Sequence, residues 1–145
     1  MPSIELKKVS KYICRNVNLK VQDSELMVLV GPTSAGKTTL LNIIAGLTDY
    51  KGSVLFDGIK VDEIPANRRE VGYLFQDLAL FPHLDVASNI AYGLKAQRRF
   101  PKEVEEKVDE LLVLMKIEYL KRCYPKSLSG GEKQRVALAR LSPFS

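Results

Sequence analysis

Leu26-Met27-Val28-Leu29-Val30-Gly31-Pro32-Thr33-Ser34-Ala35-Gly36-Lys37-Thr38 is the stretch that decides the fold. Its first five residues are continuously apolar, which suits a strand buried on both faces of a parallel sheet. The remainder fits G-x-x-x-x-G-K-[ST], placed between that strand and a helix expected over residues 37–47, with Gly46 near its end. The strand-loop-helix context gives the match its force, because a Gly-rich turn alone is common.

The chemistry of such a loop is to wrap a polyphosphate. Backbone N–H groups of Gly31, Thr33, Ser34, Ala35 and Gly36 form its cradle, and Pro32, which has no N–H, contributes its shape. Glycines permit the close approach, and the following helix turns its positive end to the anion. Lys37 reaches the β- and γ-phosphates, Thr38 ligates Mg²⁺, and Thr39 continues the helix start beside them. The cofactors this predicts are a nucleotide and Mg²⁺, with kinases, GTPases and many ATPases all open on the loop alone; a second motif selects ATP.

Outward from the loop, residues 4–6 and 17–21 alternate as half-exposed antiparallel strands. Residues 53–56, followed by Asp57-Gly58, read as strand and turn, and residues 71–75 as a further strand. From Asp77 to Ser127 the pattern turns helical. Pro101 opens one helix at its first position, with Val104, Val108, Leu111, Leu112 and Met115 on a core-facing stripe. Strands interleaved with helices point to an α/β core.

At 145 residues and 46% hydrophobic composition the chain is expected to bury one core. The net charge of +5 is spread over single bases and pairs such as Arg68-Arg69 and Arg98-Arg99. No long basic block appears, so nucleic acid is not the expected partner. No apolar run reaches the ~18 residues of a spanning helix, so any membrane association is expected to be peripheral. Cys14 and Cys123 lie far apart without CxxC spacing, which points to buried free thiols in a reducing cytoplasm. The single His83 has no neighbour at metal-ligand spacing.

A second motif narrows the family. Leu128-Ser129-Gly130-Gly131-Glu132-Lys133-Gln134-Arg135 resembles the signature of ATP-binding cassette (ABC) ATPases. It follows the phosphate loop after a helical stretch, as in that family. The same residues also form S-x-x-E, a capping box opening a helix, and the two readings are expected to hold together. The likeness extends through Phe75-Gln76-Asp77-Leu78-Ala79-Leu80-Phe81-Pro82-His83-Leu84 and Asn89-Ile90-Ala91-Tyr92-Gly93-Leu94, and is strongest to importers of sugars, polyamines, iron or oxyanions.

The resemblance implies an α/β fold: a P-loop NTPase (RecA-like) core with an N-terminal antiparallel β subdomain and an α-helical subdomain, the C-terminal part of the core missing. It divides the chain into residues 1–76 (β subdomain and core), 77–127 (helical subdomain) and 128–145 (signature helix and end). It implies that Gln76 touches Mg²⁺ or the attacking water, and that Tyr12 stacks on adenine. Without the resemblance Gln76 is a polar strand end, and a tyrosine on a strand is as often packing. Ser129 and Gly131 are implied to close on the γ-phosphate held by a second ABC ATPase domain, in a head-to-tail dimer. Leu80, Phe81 and His83 are implied to contact a membrane-spanning subunit. The implied location is cytoplasmic, peripheral at the inner face of the cell membrane.

The chain departs from the family after Ala137-Leu138-Ala139-Arg140. It reads Leu141-Ser142-Pro143-Phe144-Ser145 where the family continues to an apolar Walker B strand ending in Asp-Glu, then a D-loop and a switch histidine. The expectation is an ATP-binding importer subunit that keeps nucleotide binding and hydrolyses very slowly, with apolar sheet edges left unpaired. The alternatives are a non-catalytic nucleotide-binding module pairing with a full-length relative and a cassette ATPase acting on DNA or the ribosome; the latter predicts insertions that are not seen. Two smaller departures are Ser34, where relatives often carry glycine, and Glu132, in place of the commoner glutamine.

Overall fold

The computed structural model describes residues 2–96 and 100–141. The basic pair Arg98-Arg99 and residues 142–145, Pro143 among them, lie outside the described residues. The chain forms two compact units, Met1–Val71 and Gly72–Ser145.

In the first unit, β1 (Ile4–Lys11), β2 (Cys14–Val21), β3 (Lys51–Phe56) and β4 (Ile59–Lys60) form an antiparallel sheet in the order β2-β1-β3-β4. The expected strands at residues 4–6, 17–21 and 53–56 all form, and Asp57-Gly58 turns β3 into β4. Leu6 pairs with Leu19 on one side and Val54 on the other. This register puts Leu6, Val9 and Val54 against Ile43 of α1 (Lys37–Ala45) in one buried cluster with Val61.

Helix α1 ends at Ala45, two residues short of the expected end at 47, at the Gly46 that the sequence placed near it. Gly46 takes φ 73°, a left-handed conformation natural to glycine. Its N–H donates to the Ile43 carbonyl and that of Leu47 to the Asn42 carbonyl, which together make a Schellman ending. The remaining carbonyl capacity goes to Arg69, a buried guanidinium that sequence reading passed over. Its Nη1 donates to the Ile43 and Ile44 carbonyls at 3.0 and 3.1 Å, and its Nε to the Ile64 carbonyl at 2.8 Å. A cation at a helix C-terminus also meets the negative end of the macrodipole. Tyr50 joins Arg69 to Asp62 through its hydroxyl, which donates to Asp62 at 2.6 Å.

Two expected strands do not form. Residues 26–30 are unpaired, with Leu26 90% and Val30 86% exposed, and residues 71–75 also lack strand pairing. A strand buried on both faces needs a hydrogen-bonding neighbour to close its backbone. Among the described residues none of the four sheet strands pairs with either run.

In the second unit, α2 (Val86–Ala96), α3 (Pro101–Leu114) and α4 (Gly130–Leu141) share a core. Pro101 opens α3 as expected, and Val104, Val108, Leu111 and Leu112 are buried there with Met115 packed partly against them. Ile90, Leu94, Ile117, Leu128 and Val136 complete the same cluster.

One fully buried polar residue organises the loop before α2. The Asn89 amide Nδ2 donates to the carbonyls of Phe81, Leu84 and Asp85 at 2.9–3.1 Å, and its Oδ1 accepts the Phe81 N–H at 2.9 Å. The signal for this was weak in sequence, since asparagine inside a helix reads as a defect. Asn89→Ala removes the amide partner of the Leu84 carbonyl and of the Phe81 N–H, while the Phe81 and Asp85 carbonyls keep the backbone N–H groups of residues 84 and 89; we expect it to cost about 2 kcal/mol and to raise hydrogen exchange at the Phe81 amide at least tenfold. Unchanged exchange there would remove Asn89 as the clamp.

Candidate functional site

The phosphate loop, residues 31–38, leads into α1 without a conventional cap. No side-chain oxygen caps the helix and no carboxylate stands in its first turn. The position preceding it is Gly36, at φ 89°. Leaving the first N–H groups without an internal anion suits them to an external one, so the donor set fits a polyphosphate. Ser34 sits at φ 66°, a left-handed conformation that glycine adopts more readily. Ser34 tolerates it at a small conformational cost.

The Lys37 side chain folds back over the loop. Its ammonium donates to the carbonyls of Gly31 and Pro32 at 2.7 and 2.6 Å, so the cation stands over the loop's concavity. Thr38 is exposed and Thr39 half-buried on the same first turn. Among the described residues no group of three or more His, Cys, Asp or Glu side chains is placed to hold a metal. The exposed Thr38 hydroxyl is an oxygen ligand of the type that Mg²⁺ takes.

Tyr12 is not on a strand. It occupies the turn between β1 and β2, at φ 50° and 77% exposed. That turn packs against the phosphate loop, for a Cβ added at Gly36 would fall 2.6 Å from Cys14 Sγ and 2.9 Å from Ile13 Cγ2. The Cys14 thiol also donates to the Gly36 carbonyl at 3.5 Å. Tertiary packing thus unites the Tyr12 turn and the phosphate loop, although they lie twenty residues apart. The Lys11 ammonium stands 4.6 Å from the Tyr12 ring centroid and pairs with Asp49 at 2.7 Å; that hydrogen bond raises the Lys11 pKa and lowers that of Asp49. A hollow of about 340 Å³ opens beside Tyr12, bounded by Arg15, Asp49 and Tyr50. Cys14 is buried and Cys123 only partly so, both free thiols, which corrects the expectation that both are buried.

In the second unit Gln76 is exposed in a turn. The Leu78-Ala79 pair that follows has two consecutive positive φ values, 61° and 42°. Arg140 of α4 steadies it, donating to the Ala79 carbonyl at 2.6 Å while its guanidinium lies 5.3 Å from the Phe81 ring centroid. Phe81 further meets Tyr92 at 4.5 Å and His83 at 6.0 Å between centroids. Leu80 is half-buried against the helical core, whereas Pro82 and His83 are exposed.

Ser129 precedes α4, and Gly130 and Gly131 open it with nothing near their Cβ positions. The capping box is present: the Ser129 N–H and hydroxyl both donate to Glu132 Oε2 at 2.7 Å, and the Glu132 N–H faces Ser129 Oγ at 3.4 Å. Tyr119, which sequence reading did not single out, donates its hydroxyl to Glu132 Oε1 at 3.1 Å. The Ser129 hydroxyl, then its N–H, then Tyr119 hold the Glu132 carboxyl below the usual range.

Comparison with known proteins follows the same outline. The ABC transporter family model matches residues 14–143. The sulfate/thiosulfate import ATP-binding protein CysA of Halalkalibacterium halodurans is 46% identical over 95% of this chain and 42% of its own length. The maltose/maltodextrin import ATP-binding protein MalK of Photorhabdus laumondii is 39% identical over 97% of this chain and 40% of its own. The spermidine/putrescine import ATP-binding protein PotA of Thermotoga maritima is 43% identical over 94% and 39%. The chain thus spans about two fifths of these relatives. A dimeric bacterial ABC transporter cassette of solved structure superposes with TM-score 0.84 at 32% identity, covering 95% of this chain and 68% of that one. The same cassette is also known in a post-hydrolysis state bound to ADP and Pi. Among the described residues no helix is long and apolar enough to cross a membrane. With its phosphate loop, signature and α/β P-loop fold, this chain belongs to the ABC transporter family.

Proposed function

We propose that this chain is the front part of an importer's ATP-binding subunit, holding MgATP at residues 31–39. The observation that carries the reading is the contact of Gly36 with Cys14 and Ile13, which sets an exposed aromatic beside a phosphate-binding turn. Tyr12 then stacks on adenine, the loop amides and Lys37 hold the phosphates, and Thr38 ligates Mg²⁺. Magnesium held by Thr38 would supply neutralisation of the phosphate charge. Gln76, at the start of the turn that Arg140 steadies, takes the role that the family resemblance implies for it, toward Mg²⁺ or the attacking water.

Ser129 and Gly131 serve the nucleotide of a second cassette, so that ATP joins two domains head to tail. The dimeric form of the similar bacterial cassette supports this. Leu80, Phe81 and His83 form the contact with a membrane-spanning subunit, on a loop that Asn89 fixes in shape. The relatives are named for import of sulfate/thiosulfate, maltose/maltodextrin and spermidine/putrescine, three unlike solutes, which supports a solute choice made outside this segment. The working location is the cytoplasmic face of the membrane.

The test is calorimetric titration of the chain with MgATP beside Lys37→Ala. Loss of the charge-assisted phosphate contact is worth about 2 kcal/mol, so affinity is expected to fall roughly thirtyfold with little change in melting temperature. Equal binding by both proteins would sink the assignment.

A further inference from the structure

The signature serine is already engaged. A serine hydroxyl has one proton to give, and Ser129 gives it to Glu132 Oε2 at 2.7 Å. The same oxygen also takes the Ser129 N–H, and the carboxylate's other oxygen takes the Tyr119 hydroxyl. Three donors therefore converge on one carboxylate at the opening of α4, where a phosphate is expected to be received.

We propose that Glu132 is an internal competitor for the signature site: its carboxylate occupies the Ser129 proton, and an incoming phosphate must displace it. The proposal rests on the reading of Ser129 as a phosphate ligand and deepens it. On this proposal capping and phosphate binding are alternatives for this hydroxyl. Glu132 acts through Ser129, as a residue that sets the site's affinity. The charge matters as well as the proton, since a carboxylate repels the phosphate that approaches the same helix end. Tyr119 strengthens the competitor by anchoring its far oxygen, and the lowered pKa of Glu132 agrees with a carboxylate held by the Ser129 and Tyr119 donors.

Glutamine at this position keeps the shape and an acceptor oxygen but only a neutral hydrogen bond, about half as strong as a charge-assisted one. Glu132→Gln should therefore release Ser129 more readily without abolishing the cap. The experiment titrates the whole chain with inorganic phosphate and follows backbone amide NMR signals residue by residue. Shifts at Gly130 and Gly131 should reach half-saturation at about five- to tenfold lower phosphate in Glu132→Gln than in the unaltered chain. Shifts at Gly36, the phosphate loop, should be the same in both.

In a Ser129→Ala background the gain from Glu132→Gln should shrink at least threefold, because the contested proton is gone. A gain that persists there would show charge removal alone and overturn the proposal. Equal phosphate response at Gly130 and Gly131 in both proteins, or none in either, would overturn it too. Absence of shifts at Gly36 would count separately, against the nucleotide assignment of the loop.

Discussion

Gly36→Ala is expected to disable the phosphate loop more completely than any change to its side chains. Alanine at φ 89° costs about 1–2 kcal/mol. The new methyl must also enter space held by Cys14 Sγ at 2.6 Å and Ile13 Cγ2 at 2.9 Å, adding about 1–3 kcal/mol of overpacking. Escape requires the loop to leave the Tyr12 turn, which separates the base contact from the phosphate contact. We expect ATP affinity to fall at least a hundredfold, about 3 kcal/mol, measured by the same calorimetric titration. Adding Cys14→Ala should recover only part of the loss, because Ile13 and the backbone conformation remain. A single Gly36→Ala protein that binds ATP within threefold of the original would refute the coupling of turn and loop.

Arg69→Met is expected to be the most destabilising single substitution in the first unit, at about 3–4 kcal/mol. Methionine fills the volume but removes the guanidinium donor from the carbonyls of Ile43, Ile44 and Ile64, of which Ile43 keeps the Gly46 N–H. It also uncovers the end of α1, whose start carries the phosphate loop. Lysine should restore less than half, since its single ammonium cannot span three carbonyls in a planar fork. Hydrogen exchange at the β1 and β3 amides under native conditions reads this directly. A loss below about 1 kcal/mol would mean that water replaces the guanidinium without penalty.

Local signals in the chain were strong where chemistry is local. The phosphate loop and its helix, the Gly46 ending, the Pro101 start and the α3 stripe each rest on residues within one or two turns of each other. Spacing alone therefore suffices to read them. Arg69 and Asn89 were missed because their partners are main-chain carbonyls, which carry no residue identity. Tyr119 was missed for a different reason: its partner Glu132 is thirteen residues away, on another element. The run at residues 26–30 was misread in the opposite sense, for its apolar composition is that of a buried strand while burial depends on neighbours.

The sequence by itself determined that this protein carries a phosphate loop and a cassette signature, because both motifs are contiguous and their chemistry is set by residue type and order. Only the tertiary structure decided that the Tyr12 turn is locked to Gly36, that Arg140 and Asn89 hold the loop beyond Gln76, and that Glu132 takes the Ser129 proton. Each of these depends on distance and direction between atoms, and a hydroxyl with one proton can serve one acceptor at a time.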